Sequence, residues 1–275
     1  MYAIVNKELL PATEATLRVN DLAIQRGYGI FDFFKAINHQ PLFLDDHLDR
    51  LYQSASILQL PVPYSREELK ELFDRLMAKN QLADSGIRVT LTGGYAEDGY
   101  TIATPNLVIT QQTLPVNTGL HNTGIRLVTY PHQRQLPAAK SIDYLMAVWL
   151  QSFVKAQQAQ DVLYHQDNRV SECPRSNFFI VTKDDELVTP SHNILHGVIR
   201  KQVLQLARAR YKVAEKAISL EDIYKAKEAF ITSTTKNILP VVQVDDQLIG
   251  NGSPGAITSS LGAELLQLIA LLTHK

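Results

Sequence analysis

The sequence predicts a two-domain protein of the α+β class, on three observations. The chain has 275 residues, 45% of them hydrophobic and 20% charged, enough to bury one large core or two moderate ones. Its strand-like and helical segments do not alternate as a regular βαβ series, and pairs such as "FFIVTKDDELVTP" around Asp184 and Asp185 look like hairpins, which calls for antiparallel or mixed sheets. A polar stretch rich in Gly, Asn and Thr, "TLPVNTGLHNTG" at 113–124, divides the chain. A doubly wound nucleotide fold is not expected, because no GxGxxG follows a strand.

The first domain, 1–115, opens with the strands "YAIV" (2–5) and "GIFDFFKAI" (29–37), the second rich in aromatic and β-branched residues. Two helices follow. In "DDHLDRLYQSASILQL", Leu48, Leu51, Ala55 and Leu58 recur at helical spacing, and "SREELKELFDRLMAKN" (65–80) opens on a capping box, with Ser65 and Glu68 three apart. The strands "GIRVTLTGG" (86–94) and "NLVITQQ" (106–112) close the domain, joined by the loop "GGYAEDGYTIATP". After a linker at 116–124, the second domain, 125–275, mixes "IRLVTY" (125–130), a helix after Lys140, "DVLYH" (161–165), "NFFIVT" (177–182) and a helix from about 197. "AFITST" (229–234), "VVQVDDQLIG" (241–250) and a terminal helix from Ser253 complete it.

Composition excludes several partners. Lys+Arg 27 against Asp+Glu 28 leaves a net charge of −1, with no electrostatic footprint for nucleic acid or an acidic membrane. Cys173 is the only cysteine, so no intramolecular disulfide forms and a reducing compartment, the cytoplasm, is expected. "MYAIVNKELL" has Lys7 in its short apolar region and no small-residue cleavage site, unlike a signal peptide. The apolar run "LLQLIALL" at 265–272 is short for a bilayer span and reads as part of an amphipathic helix. No pair among the eight His has metal spacing with a nearby carboxylate, no GxSxG offers a hydrolase nucleophile, and no metal is expected.

Three features could carry chemistry. Lys140 stands before a strongly apolar run, "LPAAKSIDYLMAVWLQSFV" at 136–154, and Asp143 can cap a helix whose apolar residues begin at Leu145. Read alone it is an ordinary loop lysine; but a helix N-terminus and partial burial both favour a neutral amine, which can attack a carbonyl. Glu172, in "NRVSECPRSNFFIV", lies just before a strand, where it is either a solvated turn residue or a carboxylate able to hold a proton on a pyridine nitrogen. Gly197 leads directly into a helix, whose free N–H groups at Val198 and Ile199 suit a phosphate, and Thr232, Ser233, Thr234 and Thr235 supply hydroxyls. Arg50 falls on the 47–50–54 stripe of its helix, away from the apolar face, where a solvated arginine is expected. Cys173 reads as a small buried residue.

The series "RGYGIFDFF" (26–34), "HLDRL" (47–51), "AAKSIDYL" (138–145), "VSECPRSNFFIV" (170–181), "ILHGVIRKQVL" (194–204) and "TSTTKNILPV" (232–241) resembles the class IV, fold-type IV pyridoxal-phosphate enzymes over nearly the whole chain. These include branched-chain and D-amino acid aminotransferases and aminodeoxychorismate lyase. The resemblance implies a small α/β N-terminal domain and a larger C-terminal domain built on a mixed-sheet pseudo-barrel, carrying the cofactor lysine. It implies that Lys140 forms the Schiff base with pyridoxal 5′-phosphate and moves the proton at the substrate Cα, and that Glu172 pairs with the pyridine nitrogen. Arg50, the backbone of Val198 and Ile199, Thr234 and Thr235 would bind the phosphate, and Tyr144 would reach the phenolic oxygen. The chain departs from the family at Ile199, where Thr is usual, in "KSID" where "KSxN" is common, and in "TKN" where "TAE" is frequent.

The activity so implied is transfer of an amino group between a D-amino acid, or a branched-chain L-amino acid, and a 2-oxo acid. The usual Arg-x-His pair of D-amino acid aminotransferases is absent from the 93–105 loop, and Arg26, Phe31 and Arg88 are the candidates to hold the substrate, as in atypical members that lack the pair. A homodimer is expected, with Arg26 or the 93–105 loop facing the neighbour's cofactor. A lyase of the aminodeoxychorismate type and a non-catalytic small-molecule binding protein of the same fold are the alternatives.

Overall fold

In the computed structural model, residues 1–114, 119 and 121–273 are described, and they fall into two units. The expected linker at 116–124 lies in part, at 116–118 and 120, outside the described residues.

The first unit is a six-stranded sheet carrying two long helices. Its strands are β1 (Tyr2–Val5), β2 (Glu8–Pro11), β3 (Gly29–Ile37), β4 (Gln40–Pro41), β5 (Ser85–Thr92) and β6 (Leu107–Thr113), in the order β2-β1-β6-β5-β3-β4. Every pairing is antiparallel. The two-residue period of β3 sends Ile30, Phe34 and Ala36 into the core, beside Ile87, Val89 and Leu91 of β5. Helix α1 (Leu22–Arg26) is short and ends on Gly27. The other two, α2 (Leu44–Ile57) and α3 (Arg66–Asn80), cover this face with Leu48, Leu51 and Ala55, and with Leu69, Leu72, Phe73 and Leu76. The capping box of α3 is present as its sequence predicts: Glu68 N–H donates to Ser65 Oγ, and Ser65 N–H donates to Glu68 Oε2.

The second unit is a mixed sheet, as expected. Its strands are β7 (Ile125–Pro131), β8 (Asp161–Gln166), β9 (Arg169–Val170), β10 (Glu172–Cys173), β11 (Ser176–Val181), β12 (Leu187–Thr189), β13 (Val213–Glu215), β14 (Glu228–Ser233), β15 (Asn237–Val244) and β16 (Gln247–Leu248). The main path runs β13-β12-β11-β14-β15-β7-β8-β9, with β10 on β11 and β16 on β15. The pairs β12–β13, β15–β7 and β7–β8 are parallel. Helices α4 (Leu145–Trp149), α5 (Gln151–Ala156), α6 (Val198–Arg208), α7 (Leu220–Tyr224) and α8 (Ala256–Thr273), the last as far as Leu271, belong here. The core is aliphatic and aromatic, with Phe178, Ile180, Ile231, Val241 and Val244 at its centre.

The run 265–272 belongs to the 18-residue α8, which is long and apolar enough to span a bilayer by length and composition. Ile257, Leu261, Leu265 and Ile269 form a buried stripe on it, the pattern of a helix packed on a core. Glu228 fixes its start: the buried carboxylate accepts Ile257 N–H at 3.1 Å, Thr258 N–H at 2.8 Å and Thr258 Oγ at 2.7 Å. Gly255 is needed there, because a Cβ would lie 1.9 Å from Glu228 Cδ.

Two local expectations change around Lys140. Asp143 does not cap the following helix: the N-cap is Tyr144, with no side-chain hydrogen bond, and α4 has only five residues before the chain turns into α5. So short a helix has little dipole to lend to Lys140. Nor does the chain plunge into the core after it. Leu150 is buried beside Met146 and Phe153, while Leu145 at 74%, Val148 at 61% and Trp149 at 62% face outward. The run is apolar on both sides of the helix, so periodicity could not say which side was covered.

Candidate active site

Lys140 is held by the first unit, although its sequence position suggests the second domain. Residues 139–143 lie against the start of β3. Phe31 N–H donates to Lys140 O at 2.9 Å, Ile142 N–H to Gly29 O at 3.0 Å, and Ser141 forms a β-bridge with Ile30. Lys140 N–H donates to Ser54 Oγ of α2 at 3.0 Å. These bonds fix the lysine backbone, and its Nζ lies over the Phe31 ring, 4.5 Å from the centroid. The guanidinium of Arg88 lies over the same ring at 4.1 Å. Phe31 thus brings together the candidate lysine and one of the two candidate carboxylate-binding arginines. Arg26 is exposed at the end of α1 and donates to Gln25 O.

The stripe 47–50–54 of α2 is buried, not solvated. Arg50 is only 7% exposed, because Asp32, on the core-facing side of β3, pairs with it: Nε reaches Oδ2 and Nη2 reaches Oδ1, each at 2.8 Å. Burial works to raise the Asp32 carboxyl. The charge of Arg50 and the hydrogen bonds from Arg50 and His47 override it and hold the group well below the usual carboxylate range. His47 Nδ1 stands 2.7 Å from Asp32 Oδ1. A carboxylate can only accept, so the Nδ1–H donates. Burial, with Arg50 and Lys140 adding to it against Asp32, pushes the imidazole below its ordinary value and keeps it neutral. The guanidinium is thereby locked in one orientation, its Nη1 left outside the Asp32 pair.

In the second unit three strand registers align another set. Glu172 stands opposite Asn177, Asn177 opposite Thr232, and Thr232 opposite Ile238, one pair from the turn that carries Thr234 and Thr235. Glu172 is 4% exposed. Its Oε1 accepts from Arg134 Nε at 3.0 Å, and its Oε2 from Asn177 Nδ2 at 3.2 Å and Leu195 N–H at 3.0 Å. Asn177 also donates to Leu195 O at 2.7 Å, which holds the loop leading into α6. Gly197, the N-cap of α6, packs on Asn177: a Cβ there would lie 2.1 Å from its Oδ1. The α6 start has no side-chain cap, so the N–H groups of Val198 and Ile199 carry no intrahelical bond. Tyr144 is the N-cap of α4. Cys173 is buried, and burial pushes its thiol well up, as befits a packing residue.

The sequence pattern of the amino-transferase class IV family matches residues 29–244. The chain belongs to that family. This class IV amino-transferase is 29% identical over 271 residues to D-alanine aminotransferase of Listeria monocytogenes, covering 95% of this chain and 93% of the relative. It is 31% identical over 275 residues to a putative branched-chain-amino-acid aminotransferase of Methanocaldococcus jannaschii, covering 95% and 94%. The crystal structure of a T.th. branched-chain amino acid aminotransferase with pyridoxamine 5′-phosphate shares the fold at a TM-score of 0.89 and 23% identity, covering 99% of this chain and 94% of that one. The family and fold type expected from the sequence hold, and with them a transaminase that works with pyridoxal 5′-phosphate.

The residues of this amino-transferase fit that cofactor. The first unit offers a locked guanidinium and the second an uncapped helix start and a hydroxyl cluster, the donor types a phosphate takes, and among the described residues Thr232 Oγ1 is buried with no hydrogen-bond partner. Sequence reasoning missed Asp32, His47, Ser54, Arg134 and Asn177. Asp32 had a signal: it sits inside "GIFDFF" at a position whose period-two neighbours, Ile30 and Phe34, are core, so a charge there demands a partner.

Proposed function

We propose that this amino-transferase moves the amino group of a D-amino acid to a 2-oxo acid in two half-reactions, working as a homodimer in the cytoplasm. The 29% identity to D-alanine aminotransferase supports the D-amino acid, and the shared ring of Phe31, which brings the Arg88 guanidinium to the same aromatic ring as Lys140 Nζ, supports a carboxylate held beside the lysine. An α-carboxylate bound by Arg88, with help from Arg26, leaves the amine and Cα of a small amino acid toward the lysine. The 31% identity to a putative branched-chain enzyme supports branched-chain L-amino acids as the second reading.

When bound, pyridoxal phosphate supplies an aldehyde that takes up amino groups and a ring that withdraws electrons from the attached Cα. Lys140 would hold the cofactor through Nζ and would carry the proton at the substrate Cα as general base and acid. Glu172 would hold a proton on the ring nitrogen. Arg50, the N–H groups of Val198 and Ile199 and the hydroxyls of Thr234 and Thr235 would bind the phosphate, and Tyr144 would reach the ring oxygen. Ile199 offers its backbone only, so the phosphate loses a side-chain hydroxyl that Thr gives in relatives. The outward apolar face of α4, Leu145, Val148 and Trp149, supports association with a second copy.

Mixing the loaded enzyme with each D- and L-amino acid and following the cofactor absorbance tests the reading. D-amino acids are expected to bleach it. Bleaching by branched-chain L-amino acids alone would transfer the assignment to the second reading. A Lys140→Ala protein that still transaminated at the wild-type rate would sink the mechanism.

A further inference from the structure

The Glu172 carboxylate is not held by neutral donors alone. Both Nε and Nη2 of Arg134 converge on its Oε1, at 3.0 and 2.9 Å, and Arg134 is itself largely buried. The same Nη2 donates to Pro137 O at 2.7 Å, three residues before Lys140. One guanidinium therefore clamps the carboxylate and ties it to the segment that leads to the lysine. Oε2 is occupied by Asn177 and Leu195 N–H, so the carboxylate is fixed from both oxygens.

We propose that Arg134 is a positioning residue for the reaction, keeping Glu172 a carboxylate so that the shared proton resides on the cofactor's ring nitrogen. The proposal rests on Glu172 being the partner of that nitrogen. The proton shared by such a pair has two homes, the ring nitrogen or a Glu172 oxygen. A guanidinium bonded to the carboxylate is closer to it than to a ring cation, so its charge favours the minus sign on Glu172 and the proton on the ring. Without that charge, a buried carboxyl among neutral groups takes the proton back, since burial penalises its ionised form. The ring then loses its charge and with it much of its pull on electrons at Cα.

The experiment uses the full enzyme loaded with pyridoxal phosphate labelled with nitrogen-15 in the ring, as wild type, Arg134→Gln, Arg134→Lys and Glu172→Gln. Cofactor affinity is read by absorbance titration of the apoenzyme, and ring protonation by the nitrogen-15 resonance. Arg134→Gln is expected to move the resonance toward the unprotonated position, weaken cofactor binding by about tenfold or more, and lower kcat with KM little changed. Arg134→Lys keeps the charge without the fork, so it is expected to hold the resonance near wild type while binding weakens by a few-fold. A wild-type resonance and affinity in Arg134→Gln would overturn the proposal. Should that variant fail to fold, a resonance in Arg134→Lys displaced to the unprotonated position would overturn it as well. Glu172→Gln reads the underlying assignment separately: if it leaves the ring resonance in place, Glu172 is not the partner of the nitrogen, whatever Arg134 does.

Discussion

Several charged side chains sit at buried positions, and each is stabilised by a different means. Asp32 and Arg50 neutralise one another through two hydrogen bonds, and His47 is kept uncharged beside them. Lys35, on the opposite face of β3, shows the cost of burying a cation. Burial lowers its ammonium to about 8, below the ~10.4 of an unfolded chain. Between those values the unfolded state binds more protons than the native one, so stability rises with pH across that window, by up to about 3 kcal/mol. Urea midpoints measured from pH 7 to 10.5 are expected to climb in the wild type relative to Lys35→Met, which lacks the titrating group. Parallel curves for the two proteins would disprove the assignment.

Helices meet their sites here through single faces and ends. The apolar face of α2 builds the core, and the neighbouring 47–50–54 stripe turns toward Asp32 and the Lys140 backbone, so one helix both packs the unit and orients its cation. The start of α8 depends on the fit between Gly255 and the Glu228 carboxylate. Gly255→Ala is expected to destabilise by about 1–3 kcal/mol, since its Cβ would overlap the carboxylate in a packed site. Glu228→Gln, which keeps the shape but gives up charge at a helix N-terminus, is expected to cost about 1–2 kcal/mol. Thermal melts of both variants check this; an unchanged Tm for Gly255→Ala would mean that α8 starts elsewhere.

At the scale of the whole molecule, the proposed homodimer is open to a direct test. Light scattering of the wild type is expected to give twice the 30.8 kDa chain mass. Val148→Glu with Trp149→Glu, on the outward face of α4, is expected to shift the protein to monomer. A double variant that remained dimeric would move the interface off this helix.

Much of the fold was legible in the sequence because strands and helices are set by local period and capping. β3 declares itself by its aromatic and β-branched residues, α3 by its Ser65–Glu68 box, and the hairpin of β11 and β12 by the turn at Asp184 and Asp185. The family was legible too, since the motifs from Arg26 to Val241 keep their order and spacing, and with it the transaminase chemistry. The surroundings of the charged residues were not. Arg50 reads as solvated because its partner lies 18 positions away on a strand, and Lys140 reads as a helix-start lysine because its backbone partners, Ser54 and Phe31, lie 86 and more positions away. What the sequence determined by itself was which elements form and which reaction the chain serves. What only tertiary structure decided was which charges are buried and against what, because desolvation and pairing depend on neighbours that the chain brings together from far apart.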